Sequence, residues 1–421
     1  MKPTIEPKTV RHTQRPAMPL ALILFLLIGS ASTTFAQSVI TPLQPNPLTA
    51  TTDQTQSPGK PVGAPTANAS ATDLRWGPID FHPHVSYRYL YGNGIQASPG
   101  NTKKTEVHNF SPGLFANLRA RWTVDFTPTW TYYSSSAFRD TVNQVGQINW
   151  ATKYEVWTLS AAQTYSKSDS PLVETGSQTK QTSYTTNFNA AIAFNSRYAL
   201  ETNLTQSLNF TEAHSNVRTW SVRDMLHRRI SSRLDTALGI DYSYTAVDRT
   251  PDMASLQFLG NLTWRVIDQL NMSLMAGLEN REIYAKPTTS KQNPVYSASI
   301  QFIPVATTQL GFTASRSSSA SFLDGQIMES TRYGFTLNQR LLKRLQFSAS
   351  LSHQESKYTA TSTSTTAGRA DKIDSLNLGL NTTFLTRLRT GLTYQYNRNT
   401  SNVPGFTFAS NQIGVDVGYT F

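Results

Sequence analysis

The chain has 421 residues and no cysteine, which excludes a disulfide framework, a thiolate metal site and a cysteine nucleophile. Aromatic residues make up 11% of the chain although its mean hydropathy is −0.36, and beyond the N-terminus apolar residues stand singly rather than in the runs a large soluble core requires. The formal charge of +11 is spread thinly with no dense basic run, so nucleic acid is a poor partner.

The first element is a secretion signal. Lys2, Lys8, Arg11 and Arg15 form a basic stretch, Leu20 to Ile28 an apolar one, and Thr34-Phe35-Ala36 places small residues for cleavage after Ala36. The apolar run is short for a membrane helix, and no later segment reaches the ~18 continuous apolar residues that a spanning helix needs. An uncleaved anchor is the alternative; a lipid anchor is excluded because no cysteine follows. Removing residues 1–36 takes away four basic residues and Glu6, so the charge falls from +11 to about +8.

Residues 37–76 read as a periplasmic linker. Pro42, Pro45, Pro47, Pro58, Pro61 and Pro65 lie among Thr, Gln, Ser and Ala, a composition that cannot offset its ordering entropy by burial. A small plug in the lumen, or a segment that binds the cell wall, is the competing reading.

From Ile79 to Phe421 the period is two. Tyr198, Leu200, Leu204 and Leu208 alternate with Glu201, Asn203, Thr205 and Ser207, and Ile413, Val415, Val417, Tyr419 and Phe421 with Gln412, Gly414, Asp416, Gly418 and Thr420. Successive side chains of a strand point to opposite faces, so each strand has one apolar and one polar face. A repeated upstroke begins near Trp122, Val156, Tyr198, Leu234, Leu270, Leu310, Leu345 and Leu388, at spacings of 34 to 43 residues. That length fits two strands, a tight turn and a longer loop. Eight tight turns alternating with nine longer loops, such as Gly92–Thr105, Asp169–Lys180, Thr359–Ala370 and Thr400–Phe408, predict about 18 strands, with 16 the alternative. Thr141–Ala161 and Asn216–Ile230 are ambiguous.

A sheet of this size closed on itself is too wide for side chains to fill, so the apolar face belongs on lipid and the polar face on water. The expected fold is all-β, a transmembrane antiparallel up-and-down barrel with short periplasmic turns and longer extracellular loops, in the outer membrane. Trp122, Trp130, Trp157, Tyr244, Trp264 and Tyr394 near strand ends suit interfacial girdles. Basic residues at or beside the tight turns, among them Arg197, Arg229, Arg233, Arg344 and Arg387, predict a basic periplasmic rim.

The last strand, Gly414-Val415-Asp416-Val417-Gly418-Tyr419-Thr420-Phe421, resembles the terminal strand read by outer-membrane barrel assembly machinery, with Tyr419 and Phe421 as the signal. With the Leu-rich upstrokes, Ile79–Phe421 resembles the β-barrel porin type 2 group of outer-membrane barrels. The resemblance leaves out the linker, and its motifs are architectural, so it implies transport only loosely.

Catalytic and metal signals are weak. Ser221, Asp224 and His227 span about 20 Å of extended chain, and Asp224 lies on the opposite face, so they cannot form a triad. His82 and His84 share a face but lack further ligands for a metal. No cofactor signature stands out, and no enzyme activity is expected. Asp224 itself is unexpected on a lipid face near mid-depth. A bulge that reverses the register is the favoured escape, and burial against another subunit the second.

The polar faces direct Arg88, Arg119, Arg121, Asp125, Glu201, Asp235, Asp241, Arg265, Arg332, Arg340, Arg389 and Asp416 to the lumen. These either pair as structural salt bridges or form a constriction that selects by charge. The expected function is a porin-like channel for passive diffusion of small hydrophilic solutes with a weak anion preference. An exopolysaccharide secretion channel, or a non-transport barrel acting as envelope anchor or enzyme, is the alternative. Expected partners are outer-membrane lipid, the assembly machinery and small polar or anionic solutes; a homo-oligomer stays open.

Overall fold

Period-two alternation over strand after strand leaves each backbone ladder needing a neighbour, and in hydrocarbon the ladder must end where it began. The computed structural model describes residues 74–421 except 119–120, 213, 286–287, 343, 362–367 and 385–386. The signal at 1–36, the linker up to residue 73 and Arg119 therefore lie outside the described residues.

A short strand, β1 (Leu74–Trp76), takes the last three residues expected in the linker. The barrel strands are β2 (Ile79–Ser98), β3 (Asn101–Leu118), β4 (Trp122–Tyr133), β5 (Thr141–Tyr154), β6 (Trp157–Pro171), β7 (Gln178–Ala193), β8 (Tyr198–Thr211), β9 (Val217–Ser231) and β10 (Leu234–Val247). They continue with β11 (Met253–Ile267), β12 (Leu270–Ile283), β13 (Thr289–Val305), β14 (Thr308–Ala320), β15 (Gln326–Leu341), β16 (Leu345–Ala360), β17 (Ala370–Phe384), β18 (Leu388–Ser401) and β19 (Phe408–Thr420). Each of the eighteen pairs antiparallel with the next, and β19 closes onto β2 with Val415 opposite Tyr89. Six of the eight expected upstroke residues open their strands; β6 starts one residue after Val156, and β14 two before Leu310. Both ambiguous stretches are strands: Thr141–Ala161 forms the β5–β6 hairpin, and Asn216–Ile230 forms β9.

The two faces can be read across the ladder. Leu380, Leu392, Val415 and Tyr89 are successive partners on the outer face, and the next row, Asn381, Gly391, Asp416 and Arg88, points inward. A Cβ on Gly391 would stand 2.4 Å from Asn381 Oδ1 and 2.8 Å from Asp416 Oδ1, so the glycine lets these two side chains close over the wall. Outer residues such as Leu238 (75% exposed), Phe258 (61%) and Leu278 (63%) are bare on the isolated barrel, an arrangement that favours lipid over water. Charged Arg233, Asp268, Arg344 and Arg387 cluster on the short-turn side, Arg233 pairing with Asp268 at 3.3 Å.

Two expectations are corrected. The outer connections are shorter than expected: β2 and β3 run almost to each other, with Pro99 and Gly100 alone between them, where a loop over Gly92–Thr105 was expected. The reason is physical. Above the membrane both faces of a strand are wet, so the alternation disappears although the strand continues. There is also no bulge at Asp224. The register of β9 with β8 and with β10 is regular around it; the β9–β10 irregularity lies at Leu234/Asp235, beside the turn. Asp224 therefore stays on the outer face, opposite Thr202 and Ile240.

β1 folds back through Gly77 and pairs Leu74 with Phe81. The β19 pairing begins at His84, so β1 covers the part of the β2 edge that the closing strand leaves free.

Candidate functional site

The inner wall carries two charged sectors. On β8–β12, Arg223 donates Nε–H to Asp241 Oδ2 at 2.7 Å, and Arg281 lies 2.8 Å from Glu279. His227 sits between two acids, with Nδ1 2.8 Å from Asp235 Oδ1 and Nε2 2.6 Å from Glu201 Oε2. About half the ring away, on β18, β19 and β2, Arg88 faces Asp416 at 4.0 Å and Arg389 lies on the same face. Arg332 and Arg340 share that inward face on β15.

The difference between the sectors lies in what is neutralised. Asp241, Glu279 and Asp416 each have an arginine partner, Glu201 and Asp235 share His227, and Asp125 accepts a hydrogen bond from Thr127. Among the described residues Arg332, Arg340 and Arg389 have no ion-pair partner, and Arg332 and Thr336 are exposed although their register turns them inward. The lumen at that level is therefore open to water.

A concavity of about 210 Å³ is lined here by Arg88, Arg389, Asp416, Asn338, Asn377 and Asn381, among others. Beside the acidic sector runs an apolar row, Met225, Gly239, Leu259, Gly277 and Val295, in which bulky side chains lie over glycines. A Cβ on Gly239 would stand 2.1 Å from the Asp224 carbonyl oxygen and 2.3 Å from Met225 Sδ.

The outer mouth is latched. The β6–β7 connection, residues 172–177, reaches connections from the far side of the ring. Glu174 Oε1 accepts from Ser321 Oγ at 2.5 Å and from the Phe322 amide at 2.9 Å, both in the β14–β15 connection. Arg369, before β17, is fully buried: it ion-pairs with Asp371, stacks 3.7 Å over the Phe406 ring, and donates to the carbonyls of Glu174 and Val173 at 2.7 and 3.0 Å. Val173, Ile373 and Phe408 pack beneath it, while Val217, Val247, Met253, Ile283 and Ile327 form a second apolar cluster. Burial pushes the Glu174 carboxyl above its ordinary value, opposed by its hydrogen bonds and by Arg369.

Of the residues expected in the lumen, Arg88, Asp125, Glu201, Asp235, Asp241, Arg332, Arg340, Arg389 and Asp416 lie on the inward face. Arg265 shares that parity beside a bulge at the lower rim. Arg121 is in the exposed β3–β4 turn rather than on the wall, because the upstroke starts only at Trp122. His227 and Ser221 face inward and Asp224 outward; Ser221 is opposite Thr205 and Ser243, away from the His227 acids. His82 packs on Phe115, and His84 lies 3.3 Å from Thr127.

Sequence reasoning missed Arg223, Glu279 and Arg281, which strand parity places inward. It also missed Glu174, Arg369 and Asp371, whose loops carry no period.

A closed antiparallel wall, apolar outside and polar within, defines an outer-membrane β-barrel. Residues 268–421 match the family model described as "Putative beta-barrel porin 2", the group the sequence resembles. No curated protein matches the chain. Similar solved structures include OccK2 (OpdF) of Pseudomonas aeruginosa, at 10% identity over 81% of this chain and 98% of that one, with a TM-score of 0.47. OpdK of the same organism, solved with vanillate, has 10% identity over 81% and 99%, with a TM-score of 0.44. The FrpB iron transporter of Neisseria meningitidis has 8% identity over 80% and 81%, with a TM-score of 0.42.

Proposed function

We propose that the chain is an outer-membrane channel for passive diffusion of small hydrophilic solutes, with a weak preference for anions and an entrance limited by the latch. The observation that carries this reading is the imbalance of neutralisation: Asp241, Glu279 and Asp416 have arginine partners and Glu201 and Asp235 share His227, while Arg332, Arg340 and Arg389 have no ion-pair partner among the described residues. Paired charges largely cancel at a distance, so the residual field in the water of the lumen is positive. A barrel of this strand number leaves an aqueous channel where loops do not fill it.

Planar-bilayer recording of the purified protein in asymmetric salt tests the reading. The expected result is discrete conductance with a reversal potential on the anion side. No conductance from the folded barrel, at any pH or with the latch broken, overturns it; cation selectivity overturns the charge argument alone.

A further inference from the structure

We propose that the outer face of β6–β9 is a self-association surface on which a second copy of this chain packs. The inference starts from Asp224. It stands on the lipid-facing side between the turn end of β9 and Trp220, which is paired with Tyr244 nearer the outer end. Among the described residues its one hydrogen-bond donor is Thr202 Oγ1. A carboxylate can accept several more, and hydrocarbon supplies none.

The ladder shows how local the anomaly is. One row runs Ala190, Thr202, Asp224, Ile240, Phe258, Leu278: small and polar on β7–β9, large and apolar on β10–β12. A parallel row places Gln163, Thr186 and Gln206 side by side, with Thr186 Oγ1 donating to Gln163 Oε1 at 2.5 Å. From Trp157 to Thr219 the large hydrophobics exposed to the outside are Tyr184 within β7, Phe194 in the turn after it and Tyr198 at the start of β8. On β6–β8 no Leu, Ile or Val is exposed as Leu238 and Leu278 are; on β9 the exposed apolar neighbour of Asp224 is Leu226, level with Leu238.

A lipid tail offers the amides, hydroxyls and carboxylate of this face no hydrogen bond. A second copy does. The glutamine amides both donate and accept, the threonine hydroxyls likewise, and Asp224 accepts, so the patch is complementary to itself, as a two-fold contact requires. In that contact an amide of one copy supplies the donors that Asp224 of the other lacks.

The chain has no cysteine, so single cysteines report cleanly. The full-length variants Gln206→Cys, on the patch, and Leu392→Cys, on the apolar face of β18, are treated in outer membranes with a short bis-maleimide. Gln206→Cys should give a cross-linked dimer and Leu392→Cys a monomer. Adding Asp224→Leu should lower the dimer at least tenfold while the barrel stays heat-modifiable; if that variant fails to assemble, Gln163→Leu replaces it. A folded Gln206→Cys barrel that stays monomeric, equal cross-linking from both cysteines, or a dimer unaffected by the substitution overturns the proposal. A monomer that Asp224→Leu makes more heat-stable identifies lipid as the occupant, and also overturns it.

Discussion

Arg369 and Glu174 tie the mouth together through contacts that water cannot replace. An Arg sealed between Phe406 and Tyr358 and paired with Asp371 is stable only while every partner is present. Removing one member of a buried pair costs about 3–5 kcal/mol. Arg369→Ala should therefore raise open probability in single-channel recordings and leave the heat-modifiable barrel intact, because the contact lies in loops beyond the wall. Arg369→Lys should not restore closure, since an ammonium lacks the planar fork and stacks poorly.

Glu174 adds a pH dependence whose sign is fixed. Its carboxyl is raised in the closed mouth, mainly by burial, so the closed form binds the proton more tightly than an open one. Closure is then favoured in acid and weakens as pH rises above the ordinary value of 4.5. The groups facing it, Arg369, Asp371 and Tyr358, belong to the same cluster. Open probability should rise as pH climbs above 4.5 in the native channel, and Glu174→Gln should flatten that profile. An unchanged profile in Glu174→Gln would assign the pH response to other groups. None of this was legible in the sequence. Arg369 and Glu174 are 195 residues apart, in segments with no period, and only the closure of the ring brings them together.

Strand faces were legible for a simple reason: within the membrane one side of each strand meets lipid and the other water, and the period of two records it. Gly414 to Phe421 is the clearest case, and β19 has that alternation in place. Where a strand rises clear of lipid, the upper halves of β2 and β3 for example, both sides are wet, the alternation fades and strand reads as loop. Asp224 exposes the opposite limit. The alternation placed it on the outer face correctly, and the bulge was invoked to avoid a charge in lipid; the regular ladder keeps it there. At the seam, Phe421 N–H donates to the Pro83 carbonyl at 2.9 Å, and its ring sits 4.8 Å from that of Tyr419. Deleting Phe421 should reduce the heat-modifiable barrel recovered from outer membranes while the amount exported from the cytoplasm is unchanged. Native yields would show that the seam forms without it.

For the whole molecule, the test is the field inside the ring. Replacing Arg332 and Arg389 together by glutamine should abolish the anion preference with little change in conductance. The native preference should shrink with ionic strength as the Debye length falls from roughly 30 Å at 0.01 M to 3 Å at 1 M. A preference that survives both would place selectivity at the mouth rather than on the wall. The extended outer strands have one more consequence. The β2–β3 hairpin carries paired backbone almost to its tip, where Pro99 and Gly100 make the turn and the Gly100 amide is bonded to Gly405. A protease must draw several residues into an extended single strand, and an antibody to a linear peptide needs much the same. Intact cells should therefore present this hairpin as a shape rather than a cuttable thread, recognised by binders raised against the folded barrel and missed by those raised against its peptides.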